Sequence, residues 1–212
     1  CKVGPGETVA VLTANNEKAD YAQAFMVAAQ QLGGTAYQIN VPRAQTRAAG
    51  VQGRHPLAGN LPAIESAKRA DLLIDLMGLL FSKEQAEIQA AGTRVLRVVE
   101  PLHVLKQMFP TEDLRRRVEF AKQLLESAKE LRFTSPAGTD VRYSLSQYPV
   151  ICEYGYTDQP GRWDHFPSGF SFTQANDGGV EGVVVLRPGD IFAAFKRYVQ
   201  TAVRLTIRAG MI

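Results

Sequence analysis

The sequence has few cysteines and no long apolar run. Only two of its 212 residues are cysteines, Cys1 and Cys152, which are too few for a disulfide framework and too far apart for a zinc-ligand pair. No stretch is apolar over the roughly 18 residues that a membrane-spanning helix needs, and the charged start lacks the apolar core of a signal peptide. We therefore expect a cytoplasmic protein with reduced thiols and no membrane partner.

Concentrated charge of one sign is also missing. The chain has 24 Lys and Arg residues against 21 Asp and Glu residues, a net charge of +3, without the basic runs that are typical of nucleic-acid binding. Its one tight basic cluster, residues 115–117, falls in a segment with helical spacing and is typical of a solvated helix face. We expect no nucleic-acid partner.

Several motifs of known chemistry are absent from the sequence. No strand is followed by a glycine-rich phosphate loop, which removes the best signal for nucleotide binding. The three histidines lie far apart, and H-E-x-x-H, H-x-D, C-x-x-C and G-x-S-x-G do not occur. His55, beside Arg54 in a glycine-rich loop, and His103, after the fourth predicted strand, are interpreted as surface histidines. The sequence therefore shows no closed metal site and no serine nucleophile.

The first 130 residues alternate between predicted strands and helices. Asn15 and Asn16 are candidate N-caps of the first helix, Ser82 and Gln85 form a capping box, and Gly92 is a helix stop. Apolar, β-branched runs predict four strands at residues 8–13, 36–39, 72–77 and 95–99. Strands that are separated by helices imply right-handed crossovers and a parallel sheet. We predict a Rossmann-like sheet with helices on both faces.

The rest of the chain has a different pattern. A charged amphipathic helix at about residues 111–131 is interpreted as a linker, and the residues after it show period-two runs and turn sequences. We predict an α/β protein with a Rossmann-like domain at residues 1–130 and a β-rich (α+β) domain at residues 131–212. Because the chain starts at Cys1 and ends in a strand-and-turn pattern at Ile212, we expect the second domain to be truncated at its C-terminus.

The most unusual composition lies in residues 152–172. This segment holds the only tryptophan, Trp163, together with His165 and Glu153, among prolines and glycines. Histidine near neutral pH can act as a general base, and a carboxylate such as Glu153 can accept a substrate proton. The alternative is structural: Trp163 and Phe166 fill the core, while Asp164 and His165 bind turn backbone. Both readings stay open from the residues alone.

Four stretches together resemble the aminopeptidase T-like superfamily. They are residues 4–11 (GPGETVAV), 135–141 (SPAGTDV), 161–169 (GRWDHFPSG) and 186–190 (LRPGD). The Gly-Thr-Asp element is common to the superfamily, whereas the Arg-Trp-Asp-His stretch is similar to the branch of 2,5-dihydroxypyridine 5,6-dioxygenases. That branch acts in aromatic catabolism, in the degradation of nicotinate and nicotine.

The resemblance implies a non-haem iron(II) dioxygenase that opens a dihydroxypyridine ring with dioxygen to give N-formylmaleamate. It implies an Fe²⁺ ion held by two histidines and one carboxylate, including a His-x-Asp pair near the C-terminus of the family. This sequence contains no such pair, so we expect the metal ligands beyond Ile212 and no activity from residues 1–212 alone. His165 and Glu153 match residues that bind or deprotonate the hydroxypyridine. Ser168, Trp163 and Arg162 are the candidate substrate contacts.

Two other functions stay open. A metalloaminopeptidase of the same superfamily would share the fold and the turn at residues 138–140, with a two-metal site in place of iron. A non-catalytic module that binds a small anion is the second alternative. The expected partners are a small aromatic substrate and dioxygen, and a homo-oligomer is compatible with the sequence.

Overall fold

The computed structural model of the protein describes residues 1–42 and 57–212. Arg54 and His55 lie outside the described residues. The helices are α1 (Ala19–Gln31), α2 (Leu61–Lys68), α3 (Lys83–Ala90), α4 (Leu102–Gln107) and α5 (Glu112–Ser127). The strands are β1 (Thr8–Ala14), β2 (Thr35–Val41), β3 (Leu72–Asp75), β4 (Arg94–Arg97), β5 (Glu130–Thr134), β6 (Asp140–Ser144), β7 (Ile151–Glu153), β8 (Trp163–His165), β9 (Phe170–Phe172), β10 (Val180–Leu186), β11 (Ile191–Phe192), β12 (Arg197–Tyr198) and β13 (Val203–Ile207). No helix in this part of the chain is long and apolar enough to cross a membrane.

The chain forms two compact units. Residues 1–115 and 153–169 make up the first unit, and residues 116–152 and 170–212 make up the second. The first unit contains a five-stranded sheet in the order β2-β1-β3-β4-β8, with every neighbouring pair parallel. The predicted parallel sheet is confirmed.

Helices cover both faces of this sheet. Successive side chains of each strand point to opposite faces, so each strand contributes side chains to both cores. Ala10 and Leu12 of β1 belong to a core with side chains of α2 and α3, whereas Val9 and Val11 belong to a second core with side chains of α1 and α4. Strands buried on both faces read as continuous apolar runs. This arrangement explains why β1 is apolar at nearly every position.

Local capping agrees with the sequence in one helix and differs in another. Ser82 caps α3, since its hydroxyl accepts a hydrogen bond from the Gln85 backbone N–H at 3.1 Å. The prediction that Asn15 or Asn16 caps α1 is wrong: the N-cap is Lys18, which makes no side-chain cap bond. The two asparagines instead adopt left-handed turn conformations after β1, and the Asn16 N–H binds Asn40.

The second unit is rich in β-structure, as predicted. Its main sheet has the order β13-β10-β6-β5 with antiparallel neighbours, and β11 with β12 and β7 with β9 form two-stranded sheets. Gly182 in β10 is required where that strand meets β6, because its φ is +132° and a Cβ there would lie 2.2 Å from the Asp140 carbonyl oxygen. The period-two runs of the sequence thus correspond to strands such as β10.

The predicted single boundary near residue 130 does not describe this arrangement. Residues 153–169 return to the first unit because β8 pairs with β4, placing Val95 opposite Trp163, Leu96 opposite Asp164 and Arg97 opposite His165. A strand of three residues is too short to show a hydrophobic period. The residues singled out in the sequence thus lie at the edge of the Rossmann-like sheet and not in the β-rich unit.

Candidate functional site

The site lies at the carboxyl ends of three neighbouring parallel strands. Asp75, Arg97 and His165 are the last residues of β3, β4 and β8, and they occupy adjacent register positions, Asp75 opposite Arg97 and Arg97 opposite His165. Strand alternation puts all three on the sheet face that also carries Leu73 and Val95. Open parallel α/β sheets bind ligands beyond the carboxyl ends of their strands.

His165 is held through its backbone and has a buried ring nitrogen. The backbone N–H of His165 donates to Asp164 Oδ1 at 2.8 Å, and the backbone N–H of Phe166 donates to the Arg97 carbonyl at 2.9 Å. Nε2 of His165 is buried and has no hydrogen-bond partner within residues 1–42 and 57–212. Burial and the nearby Arg97 charge lower the pKa of His165, against an opposing effect of Glu100. The imidazole is therefore neutral near pH 7 and able to take a proton.

Glu153 and Ser168 form a buried pair. The Ser168 hydroxyl donates to Glu153 Oε2 at 2.9 Å, and the two residues are 8% and 2% exposed, respectively. Burial raises the pKa of Glu153, while the Ser168 hydrogen bond and the charges of Arg97 and Arg162 partly offset that rise. The structure thus brings together two of the residues that the sequence singled out, fifteen positions apart.

Asp164 organises the segment around these residues. Its fully buried carboxylate accepts hydrogen bonds from the backbone N–H groups of Tyr154, Gly155 and His165, and from Nη2 of Arg162 at 2.7 Å. In β8 its side chain points to the face opposite that of His165. Asp164 therefore fixes the backbone of His165, as the structural alternative expected, and does not bind its imidazole.

Arg162 and Trp163 are engaged by the protein itself. The Arg162 guanidinium lies 4.0 Å from the centre of the Tyr154 ring besides its ion pair with Asp164. Trp163 is 8% exposed, belongs to the sheet core and packs against Phe81 with ring centres 5.7 Å apart. These contacts match the core-filling alternative, and substrate contact by either residue stays a prediction.

A rigid aromatic support backs the segment. Tyr154 is 1% exposed, and the Arg115 guanidinium lies 4.9 Å from its ring centre. Arg115 also pairs with Asp158 at 3.1 Å, and Lys2 pairs with the same carboxylate oxygen at 3.0 Å. Burial raises the pKa of Tyr154 to about 12, so this tyrosine stays protonated at neutral pH.

Arg97 and Asp75 are the residues that sequence reasoning missed. The Asp75 carboxylate accepts hydrogen bonds from the backbone N–H groups of Met77, Gly78 and Leu79, which closes the turn after β3. Burial raises the pKa of Asp75 to about 6, although these bonds and the Arg97 charge oppose the rise. The available signal was one charged residue within each of two consecutive apolar strands, and the structure shows that these residues end the strands.

The described residues do not by themselves fit an iron site. Within residues 1–42 and 57–212, no three or more His, Cys, Asp or Glu side chains are grouped so as to hold a metal ion. His103 is exposed on α4 and lies in no such group. Iron(II) and the expectation of ligands beyond Ile212 therefore stay predictions.

Comparisons with known proteins agree with the resemblance seen in the sequence. The NicX family model, described as 2,5-dihydroxypyridine 5,6-dioxygenase, matches residues 1–212. A curated 2,5-dihydroxypyridine 5,6-dioxygenase of Pseudomonas putida KT2440 is 43% identical over 217 residues, which cover 100% of this chain and 62% of that protein. The solved structure of 2,5-dihydroxypyridine dioxygenase from Pseudomonas putida KT2440 superposes with a TM-score of 0.93, over 98% of this chain and 62% of that one.

A more distant structure supports the fold alone. Wild-type AmpT from Thermus thermophilus is 17% identical, with a TM-score of 0.55, over 87% of this chain and 60% of its own. The aminopeptidase T-like fold that the sequence predicted is confirmed by these neighbours. The chain spans 62% of the length of the curated relative.

Proposed function

Because the chain belongs to the 2,5-dihydroxypyridine 5,6-dioxygenase family, we propose that the protein opens the ring of 2,5-dihydroxypyridine with dioxygen. The product is N-formylmaleamate, which contains every atom of the substrate and both atoms of dioxygen. The observation that carries the proposal is the match over the whole chain, together with the buried polar groups of Glu153, Ser168 and His165 in one unit.

His165 acts as the base in this proposal. A ring hydroxyl that loses its proton makes the ring more electron-rich and easier to oxidise, and a neutral imidazole within hydrogen-bond reach can take that proton. The lowered pKa of His165 keeps its imidazole neutral near pH 7. Such a base typically contributes about 100-fold to 10,000-fold to the rate.

Glu153 orients the ring. The Ser168 hydroxyl donates a hydrogen bond to Oε2 of Glu153 and fixes the carboxyl group. None of the described residues donates a hydrogen bond to Oε1. Oε1 is therefore free to bind a second polar group of the ring, such as the ring nitrogen or the hydroxyl at carbon 2. With two fixed contacts the ring takes one orientation, which proximity effects require for a fast reaction.

Asp164 keeps the base in place. The carboxylate ties the His165 backbone to Tyr154 and Gly155, so the base and Glu153 belong to one rigid segment. Preorganised groups of this kind need no rearrangement at the moment of reaction.

The proposal includes iron(II) as cofactor and a cytoplasmic location. Because the described residues do not form an iron site by themselves, the roles assigned to this chain are limited to substrate binding and proton transfer. The partners are a small aromatic substrate and dioxygen.

One assay distinguishes the three candidate activities. The complete protein, supplied with iron(II), is incubated separately with 2,5-dihydroxypyridine and with a set of peptides, while oxygen uptake and products are followed. We expect oxygen uptake equal to the dihydroxypyridine consumed and no peptide hydrolysis. Peptide cleavage without oxygen uptake would identify a metalloaminopeptidase, and ligand-induced stabilisation without any turnover would identify a binding module.

A further inference from the structure

Two buried nitrogen atoms at the end of the sheet lack partners. Nε of Arg97 and Nε2 of His165 are buried and make no hydrogen bond with any residue in 1–42 and 57–212. A buried polar atom without a partner destabilises the folded protein, so native proteins contain few of them. Here two of them occur in adjacent register positions, Arg97 at the end of β4 and His165 at the end of β8.

Residue 78, in the turn after β3, is a glycine that lies beside the Arg97 guanidinium. A Cβ at Gly78 would lie 3.6 Å from Nε and 3.7 Å from Nη2 of Arg97. Gly78 has a φ of +88°, which non-glycine residues rarely adopt, and the Asp75 carboxylate holds its backbone in the turn. At residue 78 the turn after β3 therefore presents backbone, and no side chain, to the guanidinium.

The surrounding charges leave Arg97 available to a ligand. No carboxylate of the described residues lies within ion-pair distance of its guanidinium, although Asp75 and Glu153 are close enough to feel its charge. The Asp75 oxygens bind three backbone N–H groups, and Glu153 binds Ser168. The remaining charge that affects His165 is Glu100. The Arg97 charge thus has no direct counter-ion in this part of the chain.

We propose that Arg97 is a substrate-binding residue whose Nε–H binds the oxygen of the ring hydroxyl that His165 deprotonates. The inference rests on the proposed function and names the group that binds the anion formed there. A 5,6-dioxygenase cleaves the ring between carbons 5 and 6, and ionisation of the hydroxyl at carbon 5 enriches the neighbouring carbon 6 in electrons. That hydroxyl is the one that Arg97 binds.

The proton passes from the substrate hydroxyl to His165. The O–H bond of the substrate breaks, an N–H bond forms at Nε2 of His165, and the electron pair stays on the oxygen. The oxygen then carries a negative charge that the permanently charged Arg97 binds through a charge-assisted hydrogen bond. Without that anion, a protonated His165 would lie beside the Arg97 charge, which disfavours protonation. Arg97 therefore couples protonation of His165 to ionisation of the substrate.

The test is an anaerobic titration of the complete protein with 2,5-dihydroxypyridine, in which ultraviolet absorption reports ionisation of the bound ring. We compare the unmodified protein with Arg97→Gln, Arg97→Lys and the control Lys18→Gln. The Lys18 side chain places a cation near the end of β4, the strand that contains Arg97. Its ammonium, however, donates to the carbonyl oxygens of Val98 and Val99. Circular dichroism checks that each variant is folded.

We expect the bound ring to ionise at a lower pH than the free ring. Arg97→Gln should raise the pH of that ionisation by about one unit or more and weaken binding about 10-fold to 100-fold. Arg97→Lys should restore part of the ionisation shift, and Lys18→Gln should change neither quantity. Unchanged ionisation and affinity in folded Arg97→Gln, or an equal effect of Lys18→Gln, would overturn the inference.

Ring analogues keep the proposal testable if Arg97→Gln does not fold. Relative to 2,5-dihydroxypyridine, 2-hydroxypyridine lacks the hydroxyl at carbon 5, whereas 3-hydroxypyridine retains the equivalent one. The unmodified protein should bind 3-hydroxypyridine with a lowered ionisation pH and should bind 2-hydroxypyridine more weakly. Equal binding of the two analogues would contradict the assignment. Absence of ring cleavage by the unmodified protein would instead refute the proposed function, so the two failures are distinguishable.

Discussion

Replacing Asp164 should destabilise the first unit and displace the base. Asp164→Ala removes the acceptor of three backbone N–H groups, two of them buried, and the counter-ion of Arg162. A buried donor left without a partner costs about 1–3 kcal/mol, and breaking a buried ion pair costs about 3–5 kcal/mol. These costs are not additive within one network, so we expect a total of about 4–6 kcal/mol, which is a large part of the stability of a typical domain.

Asp164→Asn is the milder and more informative change. Its amide oxygen can still accept backbone N–H bonds, but the charge and one acceptor oxygen are lost, at a cost of about 2 kcal/mol. For a domain of this size that corresponds to a fall in melting temperature of roughly 4–8 °C. The matched control is Asp140→Asn, which breaks the exposed pair with Arg132 and should have little effect.

Thermal unfolding followed by circular dichroism measures both variants, and the pH dependence of turnover reports the position of His165. A melting temperature within about 1 °C of the unmodified protein for Asp164→Asn, well below the shift derived above, would refute the role of Asp164 in holding the segment. An equal fall in the melting temperature of Asp140→Asn would refute that role as well.

Three further predictions concern Glu153 and His165. Ser168→Ala removes a hydrogen bond that lowers the pKa of Glu153. The acid limb of the profile of kcat/KM against pH should therefore move to higher pH. An unmoved acid limb would show that the Glu153 carboxyl does not control it. The pKa of Glu153 is raised in the folded protein, so stability falls as pH rises from the ordinary glutamate value through that raised pKa, and the full loss remains at higher pH. Glu153→Gln should therefore raise the melting temperature near pH 7, with a gain that disappears as the pH approaches the ordinary glutamate value, and a pH-independent gain would contradict this cause. His165→Gln should lower turnover by about 100-fold to 10,000-fold with melting temperature and iron content nearly unchanged. Loss of iron from that variant would make His165 a ligand, and unimpaired turnover would leave it a structural residue.

The fold was predictable where the pattern was long. β1 has seven residues, of which six are buried, and its apolar run predicts a strand buried on both faces. The antiparallel unit was predictable from runs such as β10, with its seven residues. The position of β8 was not predictable, because its three residues carry no period and its pairing with β4 depends on a partner more than sixty positions earlier.

The site was predictable in composition but not in geometry. Glu153, His165 and Ser168 stand out because polar and aromatic residues crowd among glycines and prolines, and because the segment resembles a known family. Arg97 does not stand out, since it reads as one charged residue in a predicted strand. Its meaning comes from the register that sets it beside His165 and from the turn at Gly78, and both are tertiary features.

The most direct test of the proposed function is isotope labelling of the product. The complete protein, supplied with iron(II), reacts with 2,5-dihydroxypyridine under ¹⁸O₂ in ordinary water, and mass spectrometry measures the label in the ring-opened product before exchange. Because a dioxygenase inserts both atoms of one dioxygen molecule, we predict a product that carries two ¹⁸O atoms. A product with oxygen from water alone, or peptide hydrolysis in place of ring opening, would contradict the assignment of this chain to a ring-cleaving dioxygenase.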